Sequence, residues 1–392
     1  MKDFTISALP RLVFGSGAIY SLPKLLKEAG VTRTAVITGG GSLDASGWWK
    51  KIESSLNSEQ IAFERYTVAG EPSPQVVDEI TTDARKTGCG GVVGIGGGSV
   101  IDAAKAVSAM ITEPAGVREY LEGVGTRKPS GTRVYLAAVP TTAGTGSEAT
   151  KNAVISQTGQ GGFKKSLRHD HYIPDLALLD PMLSLDCPPA VTAASGLDAV
   201  TQLLESYVSV QANAFTDALA LEGLSKTGRS LNRAVNQGRD EQARGDMAFG
   251  AYLSGITLAN AGLGVVHGVA GVLGGMVDIP HGIACGTLLA ESTRMIIDAL
   301  KDRGDSGRYA LKKFARAGYA LTGEEGPFDR ERGWKLLTDQ LFAWQDLLEK
   351  GSLSLYGVTA ESAREAAVKA DNKQAPVSLN TQEITELLMK RL

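Results

Sequence analysis

The chain has 392 residues, 43% of them hydrophobic and 21% charged, enough apolar material for two domains of ordinary size. Its net charge of −3 comes from interspersed acids and bases, so no basic stripe invites nucleic acid and no polybasic face invites a membrane. Cys89, Cys187 and Cys285 are widely spaced without a CxxC, which argues against a disulfide scaffold or Cys-bound zinc, and with no apolar leader after Met1-Lys-Asp-Phe4 the expected location is the cytoplasm.

Residues 1–185 alternate short apolar runs with helical ones, the pattern of an α/β layer structure. Phe4 to Phe14 reads as an edge strand open to a partner. Thr34–Thr38 reads as a buried strand running into Gly39-Gly40-Gly41-Ser42, and Gly91–Ile95 as a second one ending in Gly96-Gly97-Gly98-Ser99. A helix is expected from Val100, with Asp102 in its first turn and alanines behind it. A strand that ends in glycines and feeds a helix suits a phosphate, because the backbone N–H groups can approach closely. Gly94-Ile-Gly96-Gly-Gly-Ser99 is an incomplete GxGxxG, equally readable as a tight turn with no ligand. The third strand, Val134–Val139, closes with Pro140-Thr141-Thr142-Ala-Gly-Thr145-Gly-Ser147, whose hydroxyls suit ribose, phosphate or a nicotinamide amide. Two such loops at the carboxyl ends of parallel strands are where a dinucleotide lies. Lys164, Lys165 and Arg168 follow in what reads as a polar turn with His169 and His171, either solvated or reaching an anion.

Pro188-Pro189 breaks the chain, and nearly everything beyond has helical period: 190–210, 214–234, 239–262, 283–300, 305–321, 331–349, 359–370 and 380–391. The expected architecture is therefore a Rossmann-like α/β domain with a mainly parallel sheet over 1–185 and an all-α domain over 186–392. Met247–Val277 carries no Asp, Glu, Lys or Arg, but its eight glycines favour a buried helix pair over a membrane span.

Four polar residues stand out in the helical half. Asp198 and Gln202 lie four apart on one helix face, His267 sits in the uncharged stretch, and His281 lies in a Pro-His-Gly turn. A carboxylate, an amide oxygen and two imidazoles suit a divalent first-row metal, while the plain alternative for each histidine is a satisfied core residue.

Taken together, these segments resemble the iron-containing (group III) alcohol dehydrogenase family, whose architecture is that of dehydroquinate synthase. The resemblance rests on Gly96-Gly-Gly-Ser-Val-Ile-Asp102, Pro140–Glu148, Gly196-Leu-Asp-Ala199, Gly264-Val-Val-His-Gly268 and Pro280-His-Gly282, and covers nearly the whole chain. It implies an enzyme that interconverts a small alcohol with an aldehyde or ketone using NAD(H) or NADP(H) and a divalent metal, Fe2+ or Zn2+, as a homo-oligomer. It implies cofactor contacts from Gly97, Gly98, Ser99, Asp102, Thr141, Thr142, Thr145, Asn152 and Lys164, with Gly39–Ser42 beside the adenosine ribose. It implies metal ligation by Asp198, His267 and His281, and a part in the reaction for His267, His281 and Asp102.

The chain departs from the family pattern at two places. Gln202 replaces a histidine ligand, which leaves a weaker amide donor, and Gly271 replaces a second histidine one turn after His267. The first glycine turn has no acid before Asp44, which resembles NADP-using relatives and favours NADP(H). Rival readings are a metal-independent reductase like maleylacetate reductase, a dehydroquinate synthase-like lyase and a nucleotide-binding relative without catalysis.

Overall fold

In a computed structural model, residues 3–157, 162–348 and 351–392 are described. They fall into two compact units: Ser7–Thr142 with Gly146–Asp186, and Met1–Ile6 with Ala143–Thr145 and Cys187–Leu392.

The first unit runs β1 (Arg11–Phe14), α1 (Leu22–Glu28), β2 (Arg33–Thr38), α2 (Ser42–Ala45), α3 (Trp48–Ser58), β3 (Ala62–Thr67), α4 (Pro74–Lys86), β4 (Gly91–Gly96), α5 (Gly98–Met110), β5 (Tyr135–Pro140), β6 (Asn152–Gln157), β7 (Phe163–Arg168) and β8 (Leu176–Leu179). Six strands form one parallel sheet in the order β1-β8-β5-β4-β2-β3, and β6 with β7 forms an antiparallel hairpin. Within β2, Ala35 and Ile37 enter the core on one side of the sheet and Val36 the core on the other. Within β4, Val92 faces the first core, and Val93 and Ile95 face the second. A strand covered on both faces needs an unbroken apolar run, which is why β2 and β4 were legible.

The edge strand is shorter than expected, Arg11–Phe14 alone, with β1 at one end of the sheet order. Strand β3 and the hairpin lacked such a run, and β8 carries one only four residues long, Leu176–Leu179. In particular, the segment read as a polar turn with Lys164, Lys165 and Arg168 is strand β7, held by backbone pairing to β6, which is itself tied down by Ser156 N–H donating to Pro72 O at 3.0 Å. Its polar composition reflects a strand half open to solvent.

The second unit is helical: α6 (Pro189–Val208), α7 (Ala214–Asn236), α8 (Glu241–Ala261), α9 (Val265–Met276), α10 (His281–Asp302), α11 (Arg308–Thr322), α12 (Arg330–Gln345), α13 (Ala360–Lys369) and α14 (Thr381–Met389). The helix expected to reach 349 stops at Gln345, and residue 349 itself lies outside the described residues. The uncharged stretch forms the end of α8 and all of α9, which meet at 98°. Among the described residues no single helix is long and apolar enough to cross a membrane, and only that bent pair passes by length and composition together.

Glycines set the distances between α6, α9 and α10. A Cβ on Gly282 would stand 2.4 Å from Ala194 O on α6, and one on Gly286 would stand 2.9 Å from a Leu197 methyl. A Cβ on Gly268 would stand 1.9 Å from Asp371 O. Only a residue without a side chain fits at such approaches, so the glycines bring α10 onto α6 and seat α9 against the segment after α13.

Candidate functional site

The α/β unit assembles a candidate anion site mainly from backbone. Strands β5, β4 and β2 are neighbours running the same way, with Thr38 level with Ile95 and Ile95 level with Val139. Their following loops, Gly39–Ser42, Gly97–Ser99 and Thr141–Thr142, therefore emerge side by side at the carboxyl edge, the place where open α/β sheets take ligands. Helix α5 begins at Gly98 after Gly97, with no side-chain cap, so its first N–H groups are available to an anion. The glycines of β4 serve packing as well: a Cβ on Gly96 would stand 2.6 Å from a Val100 methyl, and one on Gly94 would stand 2.7 Å from Ala104 Cβ. Thr141 N–H donates to Gly96 O at 3.0 Å, and Thr142 Oγ1 lies 3.4 Å from where a Gly97 Cβ would stand, which ties the two loops together. Thr145 belongs to the other unit, where a Cβ on its neighbour Gly144 would stand 2.7 Å from Ser195 Cβ.

Three polar residues singled out in this unit turn out to be engaged within it. Asp102 accepts from Ser147 Oγ at 2.5 Å and from Val154 N–H at 2.9 Å. Burial raises its pKa against the opposing pull of Lys105 and Ser147. Lys105, fully buried, donates to Ser147 Oγ, Thr150 Oγ1 and Asn152 O at 2.7 to 2.9 Å, and burial pushes it down to about 8. Asp102 and Lys105 thus fasten the segment 147–154 to α5. Asn152 is drawn into the same network through its carbonyl, and Lys164 on β7 pairs with Glu71. Glu148, also buried, is lifted to about 7 by burial, which its backbone bond and the Lys105 charge only partly oppose.

The helical unit builds a candidate metal site from side chains. Asp198 on α6, His267 on α9, and His281 and Cys285 on α10 offer ligand atoms that all lie within 4.8 Å of one another. Asp198 Oδ1 is 3.4 Å from His267 Nε2 and 3.8 Å from His281 Nε2. The sulfur of Cys285 is 3.6 Å from His281 Nε2 and 3.8 Å from His267 Nε2. Asp198, His267 and Cys285 are buried, and His281, with 37% of its side chain exposed, is the open side of the cluster.

Two further residues orient these four. Glu205 stands seven residues after Asp198 on the same face of α6. Its carboxylate accepts from Val266 N–H and lies 2.7 Å from His267 Nδ1. A carboxylate can only accept, so Nδ1 carries the proton and Nε2 is turned into the cluster. Gln202 Nε2 donates to Asp198 Oδ2 at 3.0 Å, and Ser254 Oγ donates to Gln202 Oε1 at 2.7 Å. The opposite amide orientation would set two oxygens against each other, so Gln202 presents nitrogen to the carboxylate and its oxygen faces Ser254. The amide-oxygen ligation expected from the sequence is thus not the arrangement adopted.

The four groups polarise one another. Burial pushes Asp198 upward, but the charges of His267 and His281 outweigh it and hold the carboxyl below its usual range. Burial opposes the charged form of His267, yet Cys285, Asp198 and Glu205 raise its pKa well above the ordinary value. The negative charge of Cys285 raises His281, and Cys285, pushed up by burial, is brought lower on balance by the two imidazoles. Mutual stabilisation of this kind is what a divalent cation would supply when bound, in place of the imidazole protons. A second sign is that Asp198 Oδ1, buried, accepts no hydrogen bond among the described residues. The donor set therefore fits a divalent metal.

Comparison with known proteins agrees with this geometry. The model of the family described as iron-containing alcohol dehydrogenase matches residues 10–181, and that of its C-terminal domain matches 192–392. The chain belongs to the iron-containing alcohol dehydrogenase family. Members so named include alcohol dehydrogenase 4 of Schizosaccharomyces pombe, 37% identical over 71% of this chain and 65% of that enzyme. Alcohol dehydrogenase 4 of Saccharomyces cerevisiae is 30% identical over 97% of this chain and 96% of its own. The structure of a 1,3-propanediol oxidoreductase matches with a TM-score of 0.88 at 28% identity, over 100% of both chains. Family membership makes the chain a nicotinamide-dependent oxidoreductase of the alcohol dehydrogenase and aldehyde reductase class.

Sequence reasoning missed Cys285 and Glu205. Signals existed: Cys285 lies one turn after His281, and Glu205 continues the i, i+4, i+7 face of Asp198 and Gln202. A lone thiol offers no CxxC spacing to mark it.

Proposed function

We propose that the chain interconverts a small alcohol and its aldehyde or ketone by hydride transfer with NADP(H), the carbonyl oxygen being polarised beside Asp198, His267 and His281. The observation that carries this is the buried, unpartnered Asp198 Oδ1 facing two imidazole nitrogens and a thiol. In the reducing direction a hydride passes from the dihydronicotinamide to the carbonyl carbon, and the oxygen gains a proton from solvent. A divalent metal, Fe2+ or Zn2+, would be held by Asp198, His267 and His281 and would act as a Lewis acid on that oxygen. Glu205 fixes the tautomer of His267, and Gln202 fixes the rotamer of Asp198 from the side away from the cluster. The exposed face of His281 leaves room for a small substrate, and Gly271 adds space, since a Cβ there meets nothing within 4 Å.

Gly97, Gly98 and Ser99 would hold the pyrophosphate at the start of α5, with Thr141, Thr142 and Thr145 towards the nicotinamide. Asn152 and Lys164 would be reached from the hairpin side, Lys164 by exchanging Glu71 for the cofactor. The preference for NADP(H) is supported by the first turn. No acid stands in Gly39–Ser42, and Asp44, the next one, is held by Arg65 through bonds of 2.8 and 2.5 Å. Arg65 also donates to Thr38 Oγ1 at 3.1 Å and lies over the Trp49 ring, so a fixed guanidinium stands beside this turn, suited to a ribose phosphate. The test is kcat/KM with each cofactor. NADPH should be preferred, and Arg65→Ala should lower kcat/KM for NADPH about tenfold or more while leaving NADH little changed. A strong NADH preference in the parent enzyme contradicts the assignment.

A metal-independent reductase is the second reading, favoured by the way Gln202 satisfies one oxygen of Asp198. Activity that persists in metal-free protein after chelation selects it.

A further inference from the structure

Resting on the reading of this cluster as a metal site, we propose that Cys285 is its fourth ligand, as a thiolate, and that Gln202 supports the site without touching the ion. Helix α6 has one donor to give, because both ends of the Gln202 carboxamide are engaged, by Asp198 and by Ser254. Helix α10 supplies two, since His281 and Cys285 are four apart and share a face. His267 completes the set from α9.

The distances fit four ligands about one ion, with the exposed side of His281 left open for the substrate oxygen as a further ligand. Metal–nitrogen and metal–oxygen bonds of about 2.0 to 2.2 Å and metal–sulfur bonds of about 2.3 Å, arranged tetrahedrally, separate the ligand atoms by roughly 3.3 to 3.6 Å. The observed separations are 3.4 Å for Asp198 to His267 and 3.6 Å for Cys285 to His281. The two remaining measured edges, Asp198 to His281 and Cys285 to His267, are both 3.8 Å. An ordinary core thiol would lie against aliphatic carbon. This one, wholly buried, lies against two imidazole nitrogens, one of which Glu205 turns towards it. The unpartnered Asp198 Oδ1 is an independent sign that the space between these atoms is meant for a cation.

The exchange of an amide for a thiolate changes the metal. A carboxylate and a thiolate balance the two charges of the ion in a buried place, and the soft sulfur favours zinc over iron. Replacing a metal-bound sulfur should weaken binding far more than replacing a group that only orients a ligand, for which about 10- to 100-fold is typical.

The experiment uses full-length protein loaded with cobalt(II), whose bonds to thiolate give a charge-transfer band in the near ultraviolet. The expected result is a tetrahedral cobalt spectrum with that band, which persists in the Cys89→Ser/Cys187→Ser double variant and in Gln202→Ala. Cys285→Ser should lose the band, and its zinc affinity should fall more than that of Gln202→Ala. The double variant retains Cys285 as its only thiol, so its spectrum decides the matter even if Cys285→Ser does not fold. Cobalt bound without the band overturns the thiolate assignment and leaves the metal site standing. Failure of cobalt and zinc to bind at all overturns both.

Discussion

The two units build their candidate sites by different means. In the α/β unit the proposed anion cradle is backbone: glycine turns after β2 and β4 and the uncapped start of α5, with the nearby charged side chains Asp102 and Lys105 holding the fold together. In the helical unit the site is side chain, and the glycines serve only to bring three helices within reach. A backbone cradle is local in sequence, whereas a side-chain cluster depends on packing between segments nearly ninety residues apart. The first should tolerate changes in neighbouring charges, and the second should fail when a helix is displaced.

The sharpest way to break that contrast is Gly268→Ala. Its Cβ would fall 1.9 Å from a backbone oxygen that cannot turn away, so α9 must move. A loss of about 3 kcal/mol is expected in denaturant unfolding, together with loss of metal binding, because His267 adjoins this residue. Unchanged stability would mean that α9 is not held by this contact.

The buried acid of the α/β unit gives a comparable effect through pH. Burial lifts Glu148 to about 7 from a usual 4.5, so within that window the folded chain holds a proton that the unfolded chain has released. The stability contribution is fully present below 4.5 and is lost as pH rises through about 7, a swing on the order of 3 kcal/mol at most. Glu148→Gln should flatten that slope between pH 4.5 and 7, measured by urea unfolding at a series of pH values. A slope unchanged in the variant would assign the proton elsewhere.

Smaller still is the effect of Glu205→Gln. The side chain is nearly isosteric but its charge is lost, so metal affinity should fall about 10- to 100-fold with the melting temperature of the loaded protein otherwise near the parent's. Competition with a chelator reads it, and an unchanged affinity would remove Glu205 from the site. The smallest effect belongs to Gly271→His, where open space awaits the ring. Stability should change by less than about 0.5 kcal/mol, and a larger drop would show that the space is needed for packing.

The same contrast explains what could be read from the sequence. The continuous apolar runs of β2 and β4 and the glycines after them carried the parallel sheet and the cradle, because both are written locally. Helices α6 to α14 were visible by period, apart from α9, whose glycines dilute the pattern. Strand β7 was hidden because its polar residues look like a loop when the partner strand is not known. Asp198, His267 and His281 stood out as polar residues of an apolar half and matched the family's metal ligands, and the structure brings them together. Gln202 lies beside Asp198 as their spacing of four implies, but its amide orientation was not legible, because Ser254, more than fifty residues away, helps to set it. Nothing in the one-dimensional spacing revealed that α10 would turn Cys285 towards His267 on a different helix.

On the proposed reading, Asp198, His267 and His281 together hold a divalent ion on which the reaction depends. Metal analysis of the purified chain and of Asp198→Ala, each followed by aldehyde reduction before and after chelation, tests it most directly. The account predicts one zinc or iron per chain in the parent, none in the variant, and activity that falls on chelation and returns with added metal. A metal-free parent that reduces aldehydes at full rate in the presence of chelator would contradict it.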